Sequence, residues 1–284
     1  MPEADSEGRS SVGSLAQVLA APGRRRYSPD EPMMSLSDRS HGPRPPIELL
    51  RDASLFLDFD GTLVDIAPRP DSVRVSAELA DLLTRLEARL GGRLAILTGR
   101  SIADVEQLLG PLPFAVGGQH GLETRRGGRL GGDVGRPEVL DSVVSGLRQL
   151  EREFPGVLVE DKPLGVALHY RQAPHAEDAC RSAAEAASRQ SGLEIQPGKM
   201  VFELKPKGAN KGDALAAMMA DPPFAGTRPV FVGDDLTDEP AFAAAQGLGG
   251  AGIIVGDRAP TKAQYRVESV EEALAWLRQA CELA

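Results

Sequence analysis

The sequence predicts an α/β protein: a Rossmann-like, doubly wound parallel sheet core with an inserted α+β cap domain. Three observations predict it. Short apolar runs in SLFLD (54–58), RLAIL (93–97), VFV (230–232) and GIIV (252–255) suit strands buried on both faces. Segments of helical spacing separate such runs, the order that builds parallel sheets with helices on either side. Between the two halves of this pattern lies a stretch of different texture, in which polar and apolar residues alternate as they do in antiparallel strands.

Residues 1–46, rich in Ser, Pro, Gly and Arg and ending in HGPRPP, cannot bury enough apolar surface to offset chain entropy. They read as a disordered tail with a short helix at 14–21 and a solvated basic cluster at Arg24, Arg25 and Arg26. The core is expected over 47–121 and 205–284. Its first helix, 76–92, carries Leu79, Leu82, Leu83, Leu86 and Leu90 on one stripe, with Ser76 as N-cap and Gly91 or Gly92 as the stop. The cap is expected over 122–204: a helix at 137–153, strands GVLVED and LGVALHYR, a helix at 175–190, then GLEIQ and MVFELKP. In LGVALHYR, Val166, Leu168 and Tyr170 alternate with Ala167, His169 and Arg171, so one face is apolar and the other polar. The terminal helix, with Trp276 on its apolar face, starts from a Ser269/Glu272 capping box.

A net charge of −9 over 284 residues repels nucleic acid and anionic membranes, so neither is an expected partner. No apolar run approaches the roughly 20 residues of a membrane span, and the N-terminus does not read as a signal peptide. Two cysteines, Cys180 and Cys281, read as reduced thiols in a cytoplasmic protein.

Chemistry-bearing residues collect at predicted strand ends, where ligands bind in such sheets. Asp58 and Asp60 follow the first strand. Thr98, Gly99 and Arg100 follow the second. Lys211 opens a helix, and Asp234, Asp235 and Asp238 follow VFV. Five carboxylates in one crevice repel by several kcal/mol each at intermediate dielectric, so they require a cation. An all-oxygen donor set points to a hard ion, Mg2+ before Ca2+ or Mn2+. A cation, an ammonium, a hydroxyl and the backbone N–H beside a glycine together describe a phosphate site.

DFDGT (58–62), LTGR (97–100), NKGDAL (210–215) and GDDLTD (233–238), in that order, resemble the haloacid dehalogenase superfamily of phosphotransferases. The resemblance implies that Asp58 is the nucleophile that forms an aspartyl-phosphate. It implies that Asp60 is the acid and base, and that Thr98 and Lys211 hold the phosphate. Mg2+ would sit among Asp58, Asp60 (through its main-chain carbonyl), Asp234 and Asp235. GGQHGLE (117–123), EDKPLGVALHYR (160–171) and GKMVFELKPKGANKG (198–212) are similar to the trehalose-6-phosphate phosphatase family. That resemblance implies Mg2+-dependent hydrolysis of trehalose 6-phosphate, with Glu160, Lys162 and Glu203 on the sugar hydroxyls. Gly99, Arg100, His120, His169 and Arg171 would stand beside them, and a trehalose-6-phosphate synthase is the implied functional partner. Gln119 departs from the family pattern, which places an acidic residue before this histidine. Two alternatives stay open: another capped sugar phosphatase, of sucrose-phosphate or glycosyl-phosphoglycerate type, and a non-catalytic sugar-phosphate sensor.

Overall fold

A computed structural model describes residues 42–127, 129–131 and 135–283. The expected helix at 14–21 and the cluster Arg24–Arg26 lie outside the described residues. Residues 43–45, which the sequence reading placed in the tail, are instead held in the fold. The Pro43 carbonyl accepts from the Arg266 N–H (3.0 Å), Arg44 pairs with Glu272 (2.7 Å), and Pro45 is buried. These contacts are made with the far end of the chain, which local composition does not report.

The elements run β1 (Ala53–Leu57), α1 (Ala77–Arg89), β2 (Leu94–Leu97), α2 (Ile102–Leu109), β3 (Ala115–Gly118), β4 (Glu123–Arg126) and β5 (Arg129–Gly131). There follow α3 (Leu140–Glu153), β6 (Leu158–Asp161), β7 (Val166–His169), α4 (Glu177–Ser191), β8 (Glu194–Gly198) and β9 (Val201–Lys205). The chain ends with α5 (Lys211–Met219), β10 (Arg228–Gly233), α6 (Glu239–Gly247), β11 (Ala251–Val255), β12 (Tyr265–Val267) and α7 (Val270–Leu283). An eight-stranded sheet has the order β12-β11-β10-β1-β2-β3-β4-β5, and a four-stranded sheet the order β6-β7-β9-β8.

In the large sheet β12 to β3 are parallel, with β4 and β5 added antiparallel at one edge. The sequence reading put the stretch from residue 122 into the insert. The hairpin β4–β5 instead extends the large sheet, because the tight turn at 119–121 returns the chain directly along β3. Strand periodicity divides the core in two. Leu55, Leu57, Ile96 and Val232 face α1, α2 and α7, while Phe56, Ala95, Leu97 and Phe231 face α5 and α6. Ser76 caps α1 by accepting the Leu79 N–H (3.3 Å), and Leu79, Leu82, Leu83 and Leu86 are buried on its inner stripe. At α7, Ser269 accepts from the Glu272 N–H (3.2 Å), while the Glu272 carboxylate accepts from Glu268 rather than Ser269.

The small sheet is antiparallel throughout and carries α3 and α4 on one face. Val166, Leu168 and Tyr170 enter its apolar cluster with Phe202 and Leu204, and Tyr170 stacks on Phe202 at 5.3 Å. The other face stays polar. Register aligns Glu160, Ala167, Glu203 and Gln196 in one row across the four strands.

Candidate active site

The row on the small sheet faces the carboxyl ends of the parallel strands across one cleft. Of the candidates read from the sequence, Asp58, Asp60, Thr98, Gly99, Arg100, His120, Glu160, Lys162, His169, Arg171, Glu203, Lys211, Asp234 and Asp235 line it, while Asp238 is buried behind them.

On the strand-end side, β1 stops as the Asp58 N–H donates to Val232 (2.9 Å) and the chain turns through Gly61 at φ +82°. A side chain at Gly61 would put its Cβ 2.2 Å from Asp234 Oδ2, so only glycine lets the two loops meet. Lys211, the first residue of α5, is buried and bridges Asp58 Oδ1 (2.7 Å) and Asp238 Oδ1 (2.6 Å). Asp238 Oδ2 accepts the N–H groups of both Asp234 and Asp235 (2.9 Å each). Asp238, fully buried, is thus the anchor of this loop.

The carboxylates of Asp58, Asp234 and Asp238 come within 4.8 Å of one another. Burial, with the charges of Asp238 and Asp234, raises the Asp58 carboxyl well above the usual range despite Lys211. Burial, then the charges of Asp238 and Asp235, push Asp234 up to about 7. Burial would lower the Lys211 ammonium, but Asp238 and Asp58 outweigh it and hold it above the lysine range. Two raised carboxyls beside one ammonium fit a hard divalent cation, which Asp58 and Asp234 would hold.

Two expected metal residues are engaged elsewhere. Asp235 Oδ1 caps the following turn at Leu236 N–H (2.7 Å), and its Oδ2 accepts the Lys199 N–H (3.1 Å) from the β8–β9 turn of the small sheet. Arg100 Nε and Nη2 donate to the two oxygens of the Asp60 carboxylate (2.6 and 2.8 Å), so from Asp60 the expected ligand is left to its main-chain carbonyl. Arg100 is fixed in turn by Pro70 O (3.2 Å) and lies 5.7 Å from the Phe59 ring. The expected neighbour of the sugar is therefore the partner of Asp60.

The turn after β2 brings Thr98 and Gly99 to the cleft floor. Thr98 Oγ1 accepts from Arg100 N–H (3.1 Å), and a Cβ at Gly99 would meet His120 Nε2 at 2.8 Å. His120 Nε2 lies 3.3 Å from Glu203 Oε2, the same oxygen that accepts from Lys162 Nζ (2.8 Å). Lys162 also donates to Gly99 O (3.0 Å), which ties the small sheet to the floor. Burial would raise Glu203, yet Lys162 and His120 together hold it far below the usual carboxylate range. Burial keeps His120 below the usual imidazole range against the pull of Glu203. Glu160 pairs with His169 (2.7 Å); burial opposes, but that bond and Lys162 keep its pKa low. Arg171 donates to Ala67 O and to Lys199 O (2.9 Å) at the far rim.

Sequence reading left out Gln196 and Lys199, which also line the cleft. Strand alternation could have found Gln196, since in GLEIQ it falls two residues from Glu194 on the polar face. Lys199 contributes its backbone N–H and carbonyl, which leave no signal in residue type, and its charge lies near Asp234.

Residues 56–271 match the model of the trehalose-phosphatase family. The chain is 39% identical over 232 residues to a trehalose-6-phosphate phosphatase of Escherichia coli (strain K12), covering 81% of this chain and 87% of that one. It is 41% identical over 209 residues to a probable trehalose-phosphate phosphatase of Sinorhizobium fredii, covering 73% and 79%. The crystal structure of a trehalose-6-phosphate phosphatase related protein superposes with a TM-score of 0.70 at 31% identity, covering 81% of this chain and 98% of that one. On the family match and these identities, the chain belongs to the trehalose-phosphatase family.

Proposed function

We propose that the protein is a Mg2+-dependent phosphatase that converts trehalose 6-phosphate to trehalose and phosphate. One observation carries the reading. A phosphate-type set (Asp58, Thr98, Lys211, Asp234) and a hydroxyl-type set (Glu160, Lys162, Glu203) face each other across one cleft. The names of the relatives agree with it.

In this reading an Asp58 oxygen attacks phosphorus, and the bond from phosphorus to the sugar oxygen breaks. The electron pair leaves on that oxygen, which takes a proton from Asp60. Asp60 then takes a proton from water as the water oxygen bonds to phosphorus and the Asp58–phosphorus bond breaks. In the structure Arg100 donates to both Asp60 oxygens, so Asp60 gives up one of these bonds when it carries the proton and regains it when ionised. Thr98 and Lys211 hold phosphate oxygens as charge redistributes. Bound Mg2+, held by Asp58, Asp234 and the Asp60 carbonyl, would offset the negative charge that otherwise repels a phosphate. Glu160 and Glu203 accept from sugar hydroxyls while Lys162 donates, with His120, His169 and Arg171 at the walls of the sugar subsite. The small sheet with α3 and α4 acts as the cap. A cytoplasmic location, and a functional link to the synthase that would supply the substrate, belong to the same reading. Among the described residues no helix is long and apolar enough to cross a membrane.

The test is phosphate release with Mg2+ from trehalose 6-phosphate, sucrose 6-phosphate, glucose 6-phosphate, glucosyl-3-phosphoglycerate and p-nitrophenyl phosphate. The reading predicts a preference of roughly a hundredfold or more for trehalose 6-phosphate, lost with EDTA. Preference for another sugar would refute the cap assignment, and no release from any ester would refute the enzyme.

A further inference from the structure

Gln119 belongs to neither the phosphate set nor the sugar set, yet it ties the two sides of the cleft together. It follows β3 and is 2% exposed. It and His120 are consecutive non-glycine residues at left-handed φ, +46° and +59°. Backbone of this kind persists only where its surroundings over-determine it. Here the Gln119 N–H donates to Arg100 O and the His120 N–H donates to Thr98 O, each at 2.8 Å. The turn is therefore built directly on the loop that carries Thr98, Gly99 and Arg100.

The Gln119 side chain reaches the other way. Its amide oxygen accepts the N–H of Leu164 (3.0 Å), in the β6–β7 turn of the small sheet. Its NH2 donates to Glu123 Oε1, and Glu123 Oε2 accepts the N–H of Ile102 (2.9 Å), the first residue of α2. Leu164 N–H can only donate and the Glu123 carboxylate can only accept, so among these groups an amide alone serves both. Leu164 is two residues from Lys162, in a turn closed by Lys162 N–H to Gly165 O (3.0 Å). Lys162 then reaches Gly99 O and Glu203.

We propose that Gln119 is a positioning residue that sets the docked β6–β7 turn, and with it Lys162, in register with the phosphate loop. It thereby favours sugar phosphates over esters too small to reach the small sheet. This rests on the reading that Lys162 and Glu203 bind the sugar.

The test is a residue exchange. Gln119→Glu sets a carboxylate against Glu123 and breaks the relay. Adding Glu123→Gln rebuilds it with the roles swapped. The carboxylate now at position 119 accepts from the Leu164 N–H and from the amide NH2 now at position 123. The oxygen of that same amide accepts from the Ile102 N–H. Gln119→Met removes both bonds without adding charge. For Q119E and Q119M we expect KM for trehalose 6-phosphate to rise tenfold or more, with kcat/KM for p-nitrophenyl phosphate within twofold of wild type. The double variant returns to within threefold. Amide exchange at Leu164, which needs no substrate, accelerates in Q119E and Q119M and is restored in the double variant. Equal losses on both esters, no rescue, or unchanged exchange at Leu164 would overturn the inference. A wild type inactive on every sugar phosphate would instead overturn the proposed function, and exchange at Leu164 would still decide the docking role of Gln119.

Discussion

The two sides of the cleft balance charge in opposite ways. At the strand ends, Asp58, Asp234 and Asp238 crowd around one ammonium, Lys211, and the surplus negative charge appears as raised carboxyls. On the small sheet, Glu203 accepts from Lys162 and lies against His120, and Glu160 is bonded to His169 and lies near Lys162; both carboxyls are held below the usual range and keep their charge. An unbalanced pocket recruits a cation and, with it, an anionic group. A pocket whose ionised carboxylates already hold hydrogen-bond donors can exchange those bonds with neutral hydroxyls. In the proposed function this difference corresponds to phosphate on one side and sugar on the other.

The largest effect that can break this comparison lies on the strand-end side. Asp58→Asn removes the oxygen proposed to attack phosphorus, and we expect phosphate release from sugar and aryl esters alike to fall by about 10⁴-fold or more. The Asp58→Asn protein should still retain trehalose 6-phosphate in a binding assay. An equal residual rate on both esters and intact binding would sharpen the division. Loss of the sugar ester alone would break it.

A smaller effect reads the charge surplus itself. Folding raises Asp234 from an ordinary 3.8 to about 7. A carboxyl raised in this way stabilises the fold below its unfolded value, and that contribution is lost as pH rises through about 7. Compared with Asp234→Asn, the metal-free protein should therefore lose on the order of 5 °C of thermal midpoint between pH 4 and 7. Saturating Mg2+ should reduce that difference, since binding to the folded state adds stability by mass action. Melting curves in EDTA and in Mg2+ across this range check both statements. A pH-independent difference would mean that the Asp234 carboxyl is not strained by its neighbours.

The smallest expected effect is a control. Ser76→Ala removes the α1 cap, costing about 1 kcal/mol and a few degrees of thermal midpoint. The ratio of activities on sugar and aryl esters should not move. If it does, specificity tracks stability in general rather than the small sheet.

Much of this arrangement is legible in the residues because strand ends are readable. An apolar run that terminates in Asp58 or Asp234 places its carboxylate at the sheet edge whatever the rest of the chain does. Alternation in LGVALHYR likewise assigns Leu168 inward and His169 to the cleft. What the residues hide are choices between near neighbours and pairings of distant ones. Asp235 and Asp238 differ by three positions in one turn, and only the fold decides that Asp238 is buried against Lys211 while Asp235 holds Lys199. Arg100 and Asp60 are 40 residues apart, so their bond could not be read from spacing. The β4–β5 hairpin reads as part of the insert because its residues are polar, yet an edge strand needs no apolar face.

The most direct measurement of the division of labour is kcat/KM for trehalose 6-phosphate and for p-nitrophenyl phosphate in the wild type and in Glu203→Gln. Removing that charge leaves Lys162 buried beside a neutral amide. The account predicts a loss of roughly 10²-fold or more on the sugar ester, with the aryl ester changed less than threefold. Equal losses on both esters, or no loss on either, would contradict the assignment of the small sheet to the sugar.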